Sequence, residues 1–528
     1  MGSRLARKRC KEREGSLANA HSSSRLRNPA VPQARFQHLS TLKLPALENK
    51  DSANAAARVS GQAAQRALRA GYTDILVIGN GIAGLTAAVE ARRYAPDADI
   101  LIITEQTHPT INTPALKQFG ADLLEVEQLL AYPPGTERRL GIGIVNARAS
   151  KLNTAARQVH LGDEQTIKYG RLLLATGARP AGLPPTCPGS HFDGVLTLHR
   201  LEDYLDLRRR LPEVSSAVVI GGGYHAAETA MLLHHWHIRV TWLIRGQSFL
   251  SRLMDEVASD MLIRHIQRLG VDVRMETELA GVVGRIGSVA GIVTSHDTFI
   301  PCQLVIVCTG TAPATELAQG TGVSLNTRSG LKVNGRLQTA VPDVFAAGDV
   351  AAVFDPQTGR YEPRAQWYSA FQQGRLAAAA ITGAAIPQGA EAGVLGCFWH
   401  ATQLGEMSML VAGAPMLSEH EHRENEVLTS GSSSFYRRIV VRQNRLIGYL
   451  AIGPRQPGGL AIKRLIDEEF NIGEIKRQLL IEGFDVRTFF TRHRLHALQS
   501  GRRASLPAPA GRAGSLRRLQ PAFVSASG

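Results

Sequence analysis

One stretch limits the fold more than any other: Thr73–Gln106, reading TDILVIGNGIAGLTAAVEARRYAPDADILIITEQ. An apolar run, Ile75–Ile78, ends in Gly79-x-Gly81-x-x-Gly84, and an alanine-rich helix is expected to follow. A second apolar run, Ile100–Ile103, stops at Glu105, 21 residues after Gly84. Gly79 makes the tight turn, Gly81 with Ala83 beyond it lets the backbone approach a pyrophosphate, and Gly84 lets helix and strand pack closely. The helix N-terminus then offers free N–H groups and a positive dipole end to phosphates. Glu105 stands where an acid would accept ribose hydroxyls. Strand, glycines, helix, strand and acid in this order predict a dinucleotide-binding unit.

The pattern recurs 142 positions later, in SAVVIGGGYHAAE (Ser216–Glu228), as Gly221-x-Gly223-x-x-Ala226. Alanine in the third place is an accepted variant. Two such units predict two dinucleotides, one in each of two Rossmann-like domains. The second unit lacks the acid, because its next strand ends Trp242-Leu243-Ile244-Arg245. An arginine there suits a 2′-phosphate, with Arg252 as a second contact, which favours NADPH over NADH. The plainer reading is that Arg245 stacks on an adenine or stands in solvent. His225, inside the same loop, reads as a phosphate-side or surface histidine.

At 528 residues the chain is long enough for about three domains. Its net charge of +15 would suggest a polyanionic partner, but residues 1–70 carry +10 of it and residues 491–528 carry +7. The body between them is close to neutral, so no nucleic acid is expected. The ends are rich in Ser, Ala, Pro and Arg and read as disordered tails or polybasic arms that could touch anionic lipid. The N-terminal segment also has some features of an organelle transit peptide, against which Glu12 and Glu14 argue. No apolar run is long enough to cross a membrane. Five scattered cysteines predict neither a disulfide framework nor a metal site, and so a reducing, cytoplasmic location.

Three further stretches complete a pattern: GRLLLATGARP (170–180), LVIVCTGTAPATELA (304–318) and TAVPDVFAAGDVA (339–351). Together with the two glycine units, they resemble the FAD- and NAD(P)-dependent pyridine nucleotide reductases over roughly residues 73–485. The resemblance implies an α/β fold: two Rossmann-like domains, the FAD domain discontinuous and the NAD(P) domain inserted in it, plus a smaller α+β C-terminal domain. The expected boundaries are a tail at 1–70, FAD domain at 71–190 and 313–387, NAD(P) domain at 191–312, C-terminal domain at 388–490 and a tail at 491–528.

The resemblance also implies site residues. Gly79, Gly81, Ala83, Gly84 and Glu105 would bind the ADP half of FAD, and Thr176 and Gly177 would lie where the chain crosses between domains. Asp349 would hydrogen-bond the ribityl chain, with Gly348 allowing close approach. QWYSAFQQGRLAAA (366–379) resembles the family helix whose N-terminus, near Gln366 and Trp367, faces the flavin pyrimidine; Trp367 could instead be plain core. Gly221, Gly223, Ala226, Arg245, Arg252 and Gly310 would serve NAD(P). Glu228 would sit by the nicotinamide carboxamide and the hydride-accepting edge of the flavin. SSSFYRRIVVRQNRLIGYLAIG (432–453) and a helical GLAIKRLIDEEFNIGEIKRQLL (459–480) resemble the third domain, a dimer interface in many members. Phe398, Trp399 and His400 either line the flavin's far face or belong to the core or an interface.

The second half-reaction divides this family. The loop after Glu105 holds no cysteine, and Cys302 and Cys308 lie in or beside an apolar strand, so a dithiol relay is not expected. Pro114-Ala115-Leu116 resembles a loop of rubredoxin and ferredoxin reductases, with Thr113 in place of its arginine. Lys117 falls one place earlier than a lysine that some members set near flavin N5 and carries little weight in this reading. The expected activity is hydride transfer from NADPH or NADH to FAD, then electron transfer to a separate rubredoxin- or ferredoxin-like protein. The alternatives are a type II NADH:quinone dehydrogenase and a flavin-containing sensor or interaction protein.

Overall fold

A computed structural model describes residues 58–492, apart from 163–164, 327, 356–359, 387–395, 419 and 455–457. The tails expected at the two ends therefore fall largely outside the described residues. Because Ile75–Ile78 and Ile100–Ile103 are apolar at every position, they can sit only in a sheet covered on both faces. They lie at the centre of an eight-stranded sheet ordered Arg58–Ser60, Gly143–Asn146, Ile100–Thr104, Tyr72–Ile78, Gln165–Leu174, Gln158–Leu161, Ala149–Asn153. Val344–Ala346 returns from far along the chain and pairs in parallel with Leu172–Leu174. The first domain is thus discontinuous. Helix Ile82–Tyr94 packs on helix Trp367–Thr382 so closely that a Cβ on Gly374 would stand 2.5 Å from the Ala83 carbonyl oxygen.

The inserted domain holds a five-stranded parallel sheet ordered Asp272–Arg274, Arg239–Leu243, Ser216–Ile220, Leu304–Val307, Val195–Leu196. The two chain segments that cross between domains pair with each other, Ala178–Pro180 antiparallel to Thr311–Pro313. The C-terminal domain is a five-stranded antiparallel sheet ordered Trp399–Leu404, Met407–Gly413, Arg445–Gly453, Tyr436–Arg442, Glu426–Gly431. Its hairpin turns at Gln443 and Asn444, with φ of 48° and 59°, the positive values that a two-residue turn requires.

Two expectations need correction. The folded body begins before residue 71: Arg58–Ser60 pairs antiparallel with Ile144–Asn146, and helix Gln62–Ala70 buries Ala64 and Ala67. This helix gives little apolar signal because its contact is made by backbone; a Cβ on Gly143 would stand 2.7 Å from the Ala64 nitrogen. The segment expected to be helical over 459–480 is helical only from Gly459 to Asp467. Glu469 has φ of 49°, and Asn471 bridges back to Arg445, so the chain turns there and later forms only a short 3-10 turn, Gln478–Leu480.

Candidate active site

The three domains enclose one continuous cleft of 2990 Å³. The turn after strand Tyr72–Ile78 forms one end of it. Gly79 has φ of 110°, and a Cβ there would stand 2.2 Å from the Ala175 carbonyl oxygen, so only glycine fits. Gly81 and Ala83 line the cleft, and a Cβ on Gly81 would meet nothing within 4 Å. Gly84 is behind the wall, where its missing side chain makes room for the Gly79 carbonyl. Glu105 lines the same end with its carboxylate about half exposed, 3.5 Å from Arg148 Nε.

The floor is made by Gly348, Asp349 and the first turn of helix Trp367–Thr382, capped by Gln366. Gly348 N donates to Gln373 Oε1 at 2.7 Å, which fixes the loop, and a Cβ on Gly348 would stand 3.1 Å from that of Ala83. The Asp349 carboxylate has no hydrogen bond or ion pair among the described residues, and burial pushes it up to about 6. Trp367 faces the cleft while its ring stacks on Phe371 at 5.9 Å, so it is both wall and core. Thr176 and Gly177 line the passage between domains, where Thr176 Oγ1 donates to the Ala314 carbonyl at 2.7 Å.

The second glycine turn forms another wall. Gly221, with φ of 139°, lies behind it against the Cys308 carbonyl, and Ala226 is fully buried. Gly223 and Gly310 face the cleft. Arg245 and Arg252 do not; both are exposed, without ion pairs among the described residues. Ile244, next to Arg245, touches the glycine turn, because a Cβ on Gly222 would lie 3.4 Å from Ile244 Cγ2. His225 lines the cleft in the first helical turn after Gly223, partly exposed, with Nε2 2.9 Å from the Leu198 carbonyl oxygen.

Where the domains meet, the cleft holds a charged cluster that the sequence reading undervalued. Glu228, on helix Tyr224–His235, accepts from Lys117 Nζ at 2.6 Å. Burial alone would push the Glu228 carboxyl up, but the Lys117 ammonium in direct contact with it holds it well below the usual carboxylate range. Lys117 rides on helix Leu116–Gly120, which begins straight out of the 3-10 turn Thr113–Ala115. That helix is wedged against two others. Trp236 Nε1 donates to the Gly120 carbonyl at 2.9 Å, and a Cβ on Gly120 would stand 2.6 Å from Leu232 and 2.9 Å from Tyr204. Arg208, almost fully buried, pairs with Asp122 and lies 4.5 Å over the Phe119 ring. Among the described cysteines only Cys308 lines the cleft, and burial pushes its thiol up to about 12.

The description "Pyridine nucleotide-disulphide oxidoreductase" fits residues 73–374, more than half of the chain. The chain belongs to this family. A probable ferredoxin reductase, CtmF, of Castellaniella defragrans is 30% identical over 60% of this chain and 76% of its own. A rubredoxin-NAD(+) reductase of Pseudomonas putida is 28% identical over 59% of this chain and 81% of its own. Among solved structures, the covalent putidaredoxin reductase–putidaredoxin complex matches with a TM-score of 0.70 at 23% identity, covering 80% of this chain and 99% of that one, a likeness of fold. As a member of the pyridine nucleotide-disulphide oxidoreductases, the protein is an oxidoreductase that works with FAD and NAD(P)H. The residues present suit a dinucleotide: an unpartnered carboxylate on the floor, and open space where Gly81 lacks a side chain. No described helix is long and apolar enough to cross a membrane.

Proposed function

We propose that the protein takes hydride from NADPH onto FAD and passes the electrons singly to a small iron–sulfur carrier protein. The observation that carries this reading is the Lys117–Glu228 pair at the meeting point of the three domains, in a cleft whose only described cysteine is a buried thiol. A thiol relay needs an accessible thiolate, and Cys308 cannot supply one at neutral pH. The relatives named for ferredoxin and rubredoxin reduction support the choice of acceptor.

FAD, when bound, accepts hydride from the nicotinamide and releases electrons one at a time. The protein's own groups do the rest. The open face at Gly81 and the N-terminus of helix Ile82–Tyr94 receive the pyrophosphate, and Glu105 accepts from the adenosine ribose. Asp349 gains in the ribityl hydroxyls the donors it otherwise lacks. The first turn of helix Trp367–Thr382 directs free N–H groups at the pyrimidine edge and favours negative charge there. Glu228, kept ionised by Lys117, accepts from the nicotinamide carboxamide and so sets the distance over which hydride moves. Arg245, exposed beside the second glycine turn but outside the cleft lining, and Arg252, also exposed, are the cations available to a 2′-phosphate.

Anaerobic titration of the purified holoprotein tests this reading. NADPH should bleach the flavin absorbance faster than NADH, and an added oxidised rubredoxin or ferredoxin should restore it. If neither nucleotide bleaches the flavin, the reductase reading is wrong. If only quinone in liposomes reoxidises it, the acceptor class is wrong.

A further inference from the structure

His400 stands in the Lys117–Glu228 cluster without a role in the reaction as described. Side chains alternate along strand Trp399–Leu404, so His400 and Thr402 share one face. Thr402 Oγ1 accepts from Lys117 Nζ at 3.3 Å, and His400 Nε2 lies 3.6 Å from Glu228 Oε1. The His400 ring rests against Tyr224, centroids 3.9 Å apart and planes 32° from parallel. Its Nε2 is buried and, among the described residues, has no partner within hydrogen-bond distance. Buried polar atoms left without partners are rare, and one beside a carboxylate calls for a reason.

The groups facing His400 decide its charge. Helix Tyr224–His235 presents Glu228 and the Tyr224 ring, helix Leu116–Gly120 presents Lys117, and the adjoining strand presents uncharged Val411. Lys117 and Glu228 pair with each other, which leaves the His400 ring, beside the same carboxylate, as the group able to answer a new negative charge. Reduction of a flavin seated here brings one.

We propose that His400 binds a proton when the flavin beside Lys117 and Glu228 is reduced, and releases it as the electrons leave. This rests on the cofactor placement proposed above. NAD(P)H gives up two electrons and one proton as hydride. His400 Nε2 takes a second proton from solvent, and its N–H turns to Glu228 Oε1. When two oxidised carriers have each removed one electron, both protons return to solvent. Overall, NAD(P)H and two oxidised carriers give NAD(P)⁺, one proton and two reduced carriers, so atoms and charge balance. The orphaned ring nitrogen is then the empty place of a proton that is bound for half of each turnover.

The flavin midpoint potential of the holoprotein, followed against pH by spectroelectrochemistry, tests the proposal in wild type, His400→Gln and Lys117→Gln. Proton uptake linked to reduction sets the slope of that plot. Wild type should show a pH interval in which the slope is twice that of His400→Gln, and Lys117→Gln should lower the potential throughout. If wild type and His400→Gln have the same slope while Lys117→Gln shifts the potential, the proposal is overturned and the placement stands. If Lys117→Gln shifts nothing either, the placement itself is wrong and the proposal falls with it. A purely structural role for His400 would change FAD retention or Tm and leave the slope alone, which also overturns it. Should His400→Gln fail to hold FAD, His400→Asn carries the same comparison.

Discussion

Asp349→Asn should stabilise the FAD-free protein and weaken its hold on FAD, with both effects traceable to one carboxylate. Among the described residues the group has no donor to accept from, and burial raises it to about 6 from the usual aspartate value near 3.9. A carboxyl whose folded value is the higher one binds its proton more tightly in the folded chain. It therefore costs nothing below about pH 4, costs progressively more up to about pH 6, and reaches a plateau above. Two units at about 1.4 kcal/mol each give a plateau of about 2–3 kcal/mol, the lower figure allowing for water in the open cleft. Asparagine fills the same volume and carries no charge. Urea unfolding of the stripped protein should show the variant more stable by about 2 kcal/mol at pH 8, by less than about 1 kcal/mol near pH 4.5, and equal to wild type near pH 3. FAD binding should move the other way, because a hydroxyl bonded to a neutral amide oxygen gains less than one bonded to a carboxylate, about tenfold in Kd. A variant no more stable at pH 8 than wild type, or one whose gain does not depend on pH, would refute the reasoning.

Gly79→Ala forces a Cβ to 2.2 Å from the Ala175 carbonyl at a φ of 110°, so the turn must open; the cost should be about 3 kcal/mol or more. Thermal unfolding and FAD content after purification both read it, and an FAD-loaded variant of unchanged Tm would contradict the close packing described. Arg208→Ala removes the buried cation that ties Asp122 and Phe119 to helix Leu201–Arg210, leaving Asp122 unpaired at about 3 kcal/mol. Since the same contacts seat the helix that carries Lys117, flavin reduction by NADPH should slow in stopped-flow while the KM for NADPH stays within twofold; equal rates would mean that Lys117 keeps its place without the clamp.

What the sequence could show depended on how far apart the partners are along the chain. Gly79, Gly81, Gly84 and Glu105 belong to one local unit, and their spacing alone gives strand, turn and helix in order. Arg245 was found by the same rule and is nonetheless exposed, because the register that ends strand Arg239–Leu243 points Ile244, not Arg245, at the glycine turn. The charged cluster obeys no local rule. Lys117 comes from the first domain, Glu228 from the inserted one and His400 with Thr402 from the last, and no sequence window contains two of those three segments. Alternation in WHATQL does put residues 400 and 402 on one face, but it cannot say that this face meets Glu228. The Lys117 side of the cluster depends on Gly120, whose missing side chain lets Tyr204 and Leu232 press against the helix that carries Lys117. Lys117, one place earlier than the lysine that the resemblance implied, reaches Glu228 from a helix that begins straight out of the Thr113–Ala115 turn. The register of that helix, and not the count of residues after proline, decides which side chain reaches Glu228.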